Sequence, residues 1–122
     1  DQQPTRSTDP GLAAGEYLPG ITSAWVDAER QRYTALGTDL RLQAAELTFA
    51  NGDFRRAADL VQPVLDEDPY REAAWRLSMR LADATGDPDG VIAAFRSCED
   101  ALRELGICPS ETTRRLVTDL RR

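Results

Sequence analysis

Chemistry is scarce in these 122 residues, because the sequence contains no histidine, the commonest acid-base and metal-ligating side chain. Without imidazole, Ser-His-Asp and Cys-His relays and the zinc HExxH site are excluded. Cys98 and Cys108 supply too few ligands to close a four-ligand zinc site. Two cysteines also make no secreted disulfide framework, and no signal-peptide pattern precedes them, so both are expected to be reduced thiols in a cytoplasm. The run Asp66-Glu67-Asp68 offers carboxylates to a hard cation, yet its place between two expected helices predicts capping instead. Residues 83–90, DATGDPDG, have the acid content of a calcium loop but neither its alternating ligands nor its closing glutamate. No GxGxxG or GxxxxGK[ST] run is present to cradle a phosphate. The sequence therefore predicts a non-enzyme with no catalytic residues, no metal and no cofactor.

The elements that carry these residues are helical. Ala50-Asn51-Gly52-Asp53 returns 34 residues later as Ala84-Thr85-Gly86-Asp87, the period of a tetratricopeptide repeat. In each copy Gly closes one helix in the left-handed conformation and Asp caps the next. The same offset relates Ala58 to Ile92 and Val61 to Phe95, apolar positions that a second repeat helix is expected to bury. Trp75 occupies the first-helix tryptophan position of such a repeat, Ala57 the small packing position and Pro69 the closing position. Arg41 stands in the tryptophan position of the first copy.

Residues 1–16 are rich in Gln, Pro, Ser, Thr and Gly and are expected to form a disordered linker. Because the sequence starts at Asp1 without Met, it is expected to be excised from a longer chain. After Leu18-Pro19-Gly20-Ile21, Thr22 or Ser23 is expected to cap a helix starting near Ala24. Trp25, Tyr33, Leu36, Leu40, Ala44 and Leu47 then give one long amphipathic stripe. Gly37 costs about 1 kcal/mol against Ala inside a helix, so a break there, recapped by Thr38 or Asp39, is an alternative.

A second helix is expected over residues 54–67, burying Ala57, Leu60, Val61, Val64 and Leu65, with a kink at Pro63. A third is expected to be capped by Asp68 with Pro69 at its first position, carrying Trp75, Leu77, Met79 and Leu81. A fourth opens at Pro88 and carries Val91, Ile92, Phe95, Ala101, Leu102 and Leu105 until Gly106 stops it. Cys98 shares its apolar face with Ala94 and Ala101, where a thiol acts as a small hydrophobe. A fifth starts at Pro109-Ser110 and covers the open end of the stack with Leu116, Val117 and Leu120. The predicted fold is all-α, a tetratricopeptide-like stack of antiparallel helical hairpins with about five helices. Trp75 is expected to be buried between the two repeats.

A net charge of −6 and an isoelectric point near 4.6 argue against a nucleic-acid face, so this chain alone is not expected to hold DNA. All 15 basic residues are Arg, which points to a GC-rich genome rather than to function. No apolar stretch approaches the roughly 18 residues of a membrane span, so no membrane partner is expected.

Four segments carry a family resemblance: GEYLPG (residues 15–20), WVDAER (25–30), DEDPYREAAWRLSMRLADATGD (66–87) and ALRELGICPS (101–110). Together they resemble the bacterial transcriptional activation domain of the Streptomyces antibiotic regulatory protein family and related actinobacterial regulators. The most specific parts are DP-x-RE (Asp68, Pro69, Arg71, Glu72) and LGxxPS (Leu105, Gly106, Pro109, Ser110). Tyr70, in place of the usual leucine, and Pro88-Asp89-Gly90 depart from the pattern. The resemblance implies a tetratricopeptide-like domain, residues 17–122, that follows a winged helix-turn-helix absent from this chain. It implies a regulatory role through protein contacts, by self-association or with transcription machinery, and contact with DNA only through the absent domain. The alternative is a generic tetratricopeptide-type scaffold that docks a peptide in a signalling protein.

In either reading the first helix of each hairpin lines a groove. The 34-residue offset selects Leu42, Glu46 and Phe49 in the first copy and Arg76, Arg80 and Asp83 in the second. Arg76 and Arg80, one turn apart, are placed to receive carboxylates, and Phe49 offers an apolar anchor. The competing expectation is that both arginines pair with Glu72 and Asp83 on a solvated face.

Overall fold

The computed structural model describes residues 19–121; the linker expected over residues 1–16 lies outside them. Five helices follow one another: α1 (Pro19–Ala50), α2 (Phe54–Glu67), α3 (Glu72–Ala84), α4 (Pro88–Arg103) and α5 (Glu111–Leu120), with no strand among the described residues. The all-α, tetratricopeptide-like stack is as the sequence predicts. The chain divides into two compact units, Asp1–Leu36 and Gly37–Arg122.

One correction concerns the start of α1, which is otherwise the one long helix expected. The helix begins at Pro19, so Thr22 and Ser23 lie inside it and do not cap it. Proline suits a first helical position because its φ is preset and its missing N–H has no partner there to lose. The helix also runs through Gly37 without a break. In the first unit, Trp25, Tyr33 and Leu36 are exposed.

In the second unit the expected apolar stripe is again not the buried one. Leu40 and Leu47 are exposed, at 58% and 67%, whereas burial falls on Thr38, Leu42 and Ala45. These positions recur at four and three and so share one helix face. Ala45 lets the neighbouring backbone approach, and the Thr38 hydroxyl donates to Glu67 Oε1 at 3.1 Å. A first core unites Leu42 and Ala45 with Ala57, Val61, Val64 and Leu65 of α2 and Ala74, Leu77 and Leu81 of α3. A second joins Met79 of α3 to Val91 and Ala94 of α4 and Val117 of α5. The third helix is therefore shared by both cores.

The two repeat turns match bond for bond. Asn51 N donates to Leu47 O, Gly52 N to Phe49 O and Asp53 N to Thr48 O; Thr85 N, Gly86 N and Asp87 N bond Leu81, Asp83 and Ala82 in the same order. Gly52 and Gly86 have φ of 85° and 74°, the left-handed conformation that a Cβ disfavours. Asp53 then accepts from Arg56 N at 3.3 Å and Asp87 from Gly90 N at 2.9 Å, each satisfying an orphan donor of the next helix. As expected, Pro88 sits in the first turn of α4.

Other placements differ from the sequence reading. Ala58 is exposed, because the buried face of α2 runs through Ala57, Val61, Val64 and Leu65. Leu60 is only half-buried. The third helix starts at Glu72, four residues beyond Asp68, which instead closes α2 by donating its N–H to Val64 O. Its carboxylate accepts from Tyr70 N at 3.3 Å, so Asp68-Pro69 forms a turn rather than a first helical turn. Leu105 is exposed because α4 ends at Arg103 and Gly106, at φ 73°, turns the chain away.

Candidate functional site

The first helices of the two hairpins, α1 beyond Gly37 and α3, present their groove residues side by side. Arg80 Nη2 lies 3.0 Å from Glu46 Oε1, and its guanidinium carbon stands 5.4 Å from the centre of the Phe49 ring. The structure therefore brings Glu46, Phe49 and Arg80 together. Leu42 instead points into the first core and is not open to a partner, while Asp83 is exposed at the end of α3. Arg80 pairs across the groove with Glu46, not with Asp83, and Arg76 Nη1 donates to Thr113 Oγ1 at 2.9 Å. Sequence reasoning missed this participation of α5, because no repeat offset reaches Thr113.

Thr113 belongs to a polar junction that fastens α5 onto α3. Its hydroxyl donates to Glu72 Oε1 at 2.6 Å, and the same oxygen accepts Ser110 N at 2.9 Å and Ser110 Oγ at 3.1 Å. Glu72 thus does for α5 what a capping side chain does within a helix; Ser110 itself makes no side-chain capping bond. Burial pushes the Glu72 carboxyl up, but the hydrogen bonds from Thr113 and Ser110 outweigh it and hold the group below the usual carboxylate range. Thr113 is fully buried, so its hydroxyl needs both partners.

A second clasp lies at the α2–α3 turn. Arg71 forms ion pairs with Asp39 of α1 and with Asp68, at 3.4 Å for the latter. Trp75 Nε1 donates to Pro69 O at 2.7 Å. Trp75 is half-buried rather than buried, yet it packs against both cores, at the junction expected for it. In the first copy Arg41 reaches the end of α2 differently, at 2.8 Å from Glu67 Oε1. Hydrogen bonds from Arg41 and Thr38 lower the pKa of Glu67. Asp66 accepts from Gln62 at 2.9 Å, so the Asp66–Asp68 carboxylates are spent on protein partners.

The motifs thus meet in space. DP-x-RE and LGxxPS are joined by the Glu72–Ser110 bonds, a contact that fixes the order of α3 and α5. The family model of the bacterial transcriptional activator domain matches residues 10–121. The chain belongs to that family. No curated protein and no solved structure matches it significantly.

The activator domain's remaining chemistry is sparse. Cys98 is buried beside Ala94 and half-buried Ala101, and burial pushes its thiol up to about 11; Cys108 is exposed, and both are free. Among the described residues no cluster of three or more His, Cys, Asp or Glu is placed to hold a metal ion, and no helix is long and apolar enough to cross a membrane. A cavity of about 320 Å³ is lined by Arg76 and Arg80 of α3 and Thr112, Arg115, Leu116 and Asp119 of α5.

Proposed function

We propose that this chain is the regulatory, protein-contacting domain of an actinobacterial transcription regulator of the Streptomyces antibiotic regulatory protein type. It acts in the cytoplasm with a winged helix-turn-helix that reads the promoter, and it contributes no catalysis and no cofactor. The observation that carries this reading is the family match over residues 10–121. The all-arginine basic set is in keeping with a GC-rich genome, and the acidity of the chain leaves DNA to a partner domain. Its contact surface is the face of α1 and α3 that presents Glu46, Phe49, Arg76, Arg80 and Asp83 to a copy of itself or to the transcription machinery.

The test is a fusion to an unrelated DNA-binding protein whose operator lies upstream of a reporter, in an actinobacterial host. Reporter output is expected to rise severalfold over the DNA-binding protein alone, while the unfused 122-residue chain gives no sequence-specific gel shift at physiological salt. A silent fusion that is folded and operator-bound, or a specific shift by the unfused chain, would overturn the reading.

A further inference from the structure

Three arginines from two helices line one cavity in a chain whose net charge is −6. Arg76 and Arg80 stand one turn apart on α3, Arg115 and Leu116 of α5 line the same cavity, and Asp119 is the single acidic residue of the lining. We propose that this cavity takes an acidic segment of a partner protein, its carboxylates received by Arg76, Arg80 and Arg115 and an apolar side chain by Leu116. The proposal rests on the reading of the domain as protein-contacting and specifies the chemistry of what it contacts.

The existing partners of the three arginines leave them available. Arg76 is steadied by Thr113, a neutral acceptor that uses one of its five N–H donors. Glu72 behind Thr113 already receives three hydrogen bonds. Arg115 pairs with Glu111 at 2.6 Å within one exposed helical turn, with both side chains more than 70% exposed. Such pairs exchange readily for a better-placed carboxylate, since they contribute little in water. Arg80 is held in place by Glu46 and by its stacking on Phe49, so its planar fork is oriented before a ligand arrives. Two of the three cations are thus positioned by the fold, and pre-positioning reduces the entropy lost on binding.

Size and charge select the ligand class. A cavity of about 320 Å³ lies at the small end for ligand sites and holds one or two side chains. Glu46, Glu111 and Asp119 interrupt the arginines, so they form no continuous positive stripe for a phosphate backbone, whereas single carboxylates can each reach one guanidinium. Leu116 gives the apolar contact that distinguishes a peptide from a simple anion.

The experiment is fluorescence anisotropy of the intact chain with a short fluorescein-labelled peptide of alternating Glu and Leu. Saturable binding that weakens as salt rises is expected, with about tenfold or greater loss in the Arg76→Gln/Arg115→Gln variant. Because Arg76 also fastens Thr113, Arg115→Gln alone, at a side chain exposed to solvent, must itself weaken binding severalfold with an unchanged melting temperature. Arg103→Gln on α4, equally exposed, must leave binding intact. No saturable binding, undiminished binding by Arg115→Gln, an equal loss in Arg103→Gln, or displacement of the peptide by duplex DNA at matching affinity would each overturn the proposal. Failure to bind the peptide while the reporter fusion still activates would remove the acidic-segment assignment and leave the regulatory reading standing.

Discussion

The two hairpins of the second unit share a turn down to individual hydrogen bonds, yet their first helices are buried in opposite ways. In α3, Ala74 and Leu77 are fully buried and Leu81 nearly so. Their counterparts 34 residues earlier are Leu40, Gln43 and Leu47, all exposed. The turn is local, so the same Gly-Asp pair produces it in both copies. Burial is set by neighbours: α3 has a core on each side, whereas the corresponding face of α1 has none among the described residues. A residue's place in a stack thus outweighs its hydrophobicity in deciding whether water reaches it.

The largest effect that separates the two copies should come from the equivalent positions Leu81 and Leu47. Leu81→Ala removes a buried side chain from the first core and is expected to cost about 2–4 kcal/mol, while Leu47→Ala should stay within about 0.5 kcal/mol. Urea unfolding followed by circular dichroism measures both. Equal losses would mean that Leu47 is covered in solution and that the asymmetry between the copies is false.

The turns should instead respond alike. Gly52→Ala and Gly86→Ala each force a Cβ into the left-handed region, at a cost of about 1–2 kcal/mol, since nothing within 4 Å obstructs either site. The cost is conformational, so it should differ little between the copies. A loss at one site and none at the other, in the same unfolding series, would show that the shared hydrogen-bond pattern does not carry shared energetics.

What the sequence made legible follows the same division. Local signals read well: both Gly-Asp turns, the Asp87-Pro88 start of α4 and the Ser110 boundary of α5 follow from residue chemistry over a few positions. The face of α1 did not, because Tyr33, Leu36, Leu40 and Leu47 form an apolar series that looks like a core stripe, while the buried face includes Thr38 and an alanine. Trp75 was placed at the correct junction, but its half-exposure follows from the reach of its indole N–H to Pro69 O. The repeat offset selects Glu46, Phe49 and Arg80, which the structure brings into contact. It does not reach Thr113 and Arg115, since α5 begins a helix that has no earlier copy with the same residues.

The smallest effect expected tests how α5 is fastened, a junction the first hairpin lacks. Glu72 has a folded-state pKa below its ordinary value, held there against burial by Thr113 and Ser110. A carboxylate whose pKa is depressed on folding contributes stability that is complete above its unfolded pKa and is lost as pH falls through the folded value. The window therefore opens at the ordinary carboxylate range and extends to lower pH. Glu72→Gln should flatten the fall of the melting temperature with acid across that window. At neutral pH the variant should keep part of its junction, because a Gln carbonyl still accepts from Ser110 N. Hydrogen exchange at the first turn of α5 should quicken relative to the first turn of α2, whose Asp53 cap is independent of Glu72. An unchanged acid profile, with α5 exchange equal to the unsubstituted chain, would show that α5 is held without the Glu72 carboxylate, by the Arg76–Thr113 bond and the second core.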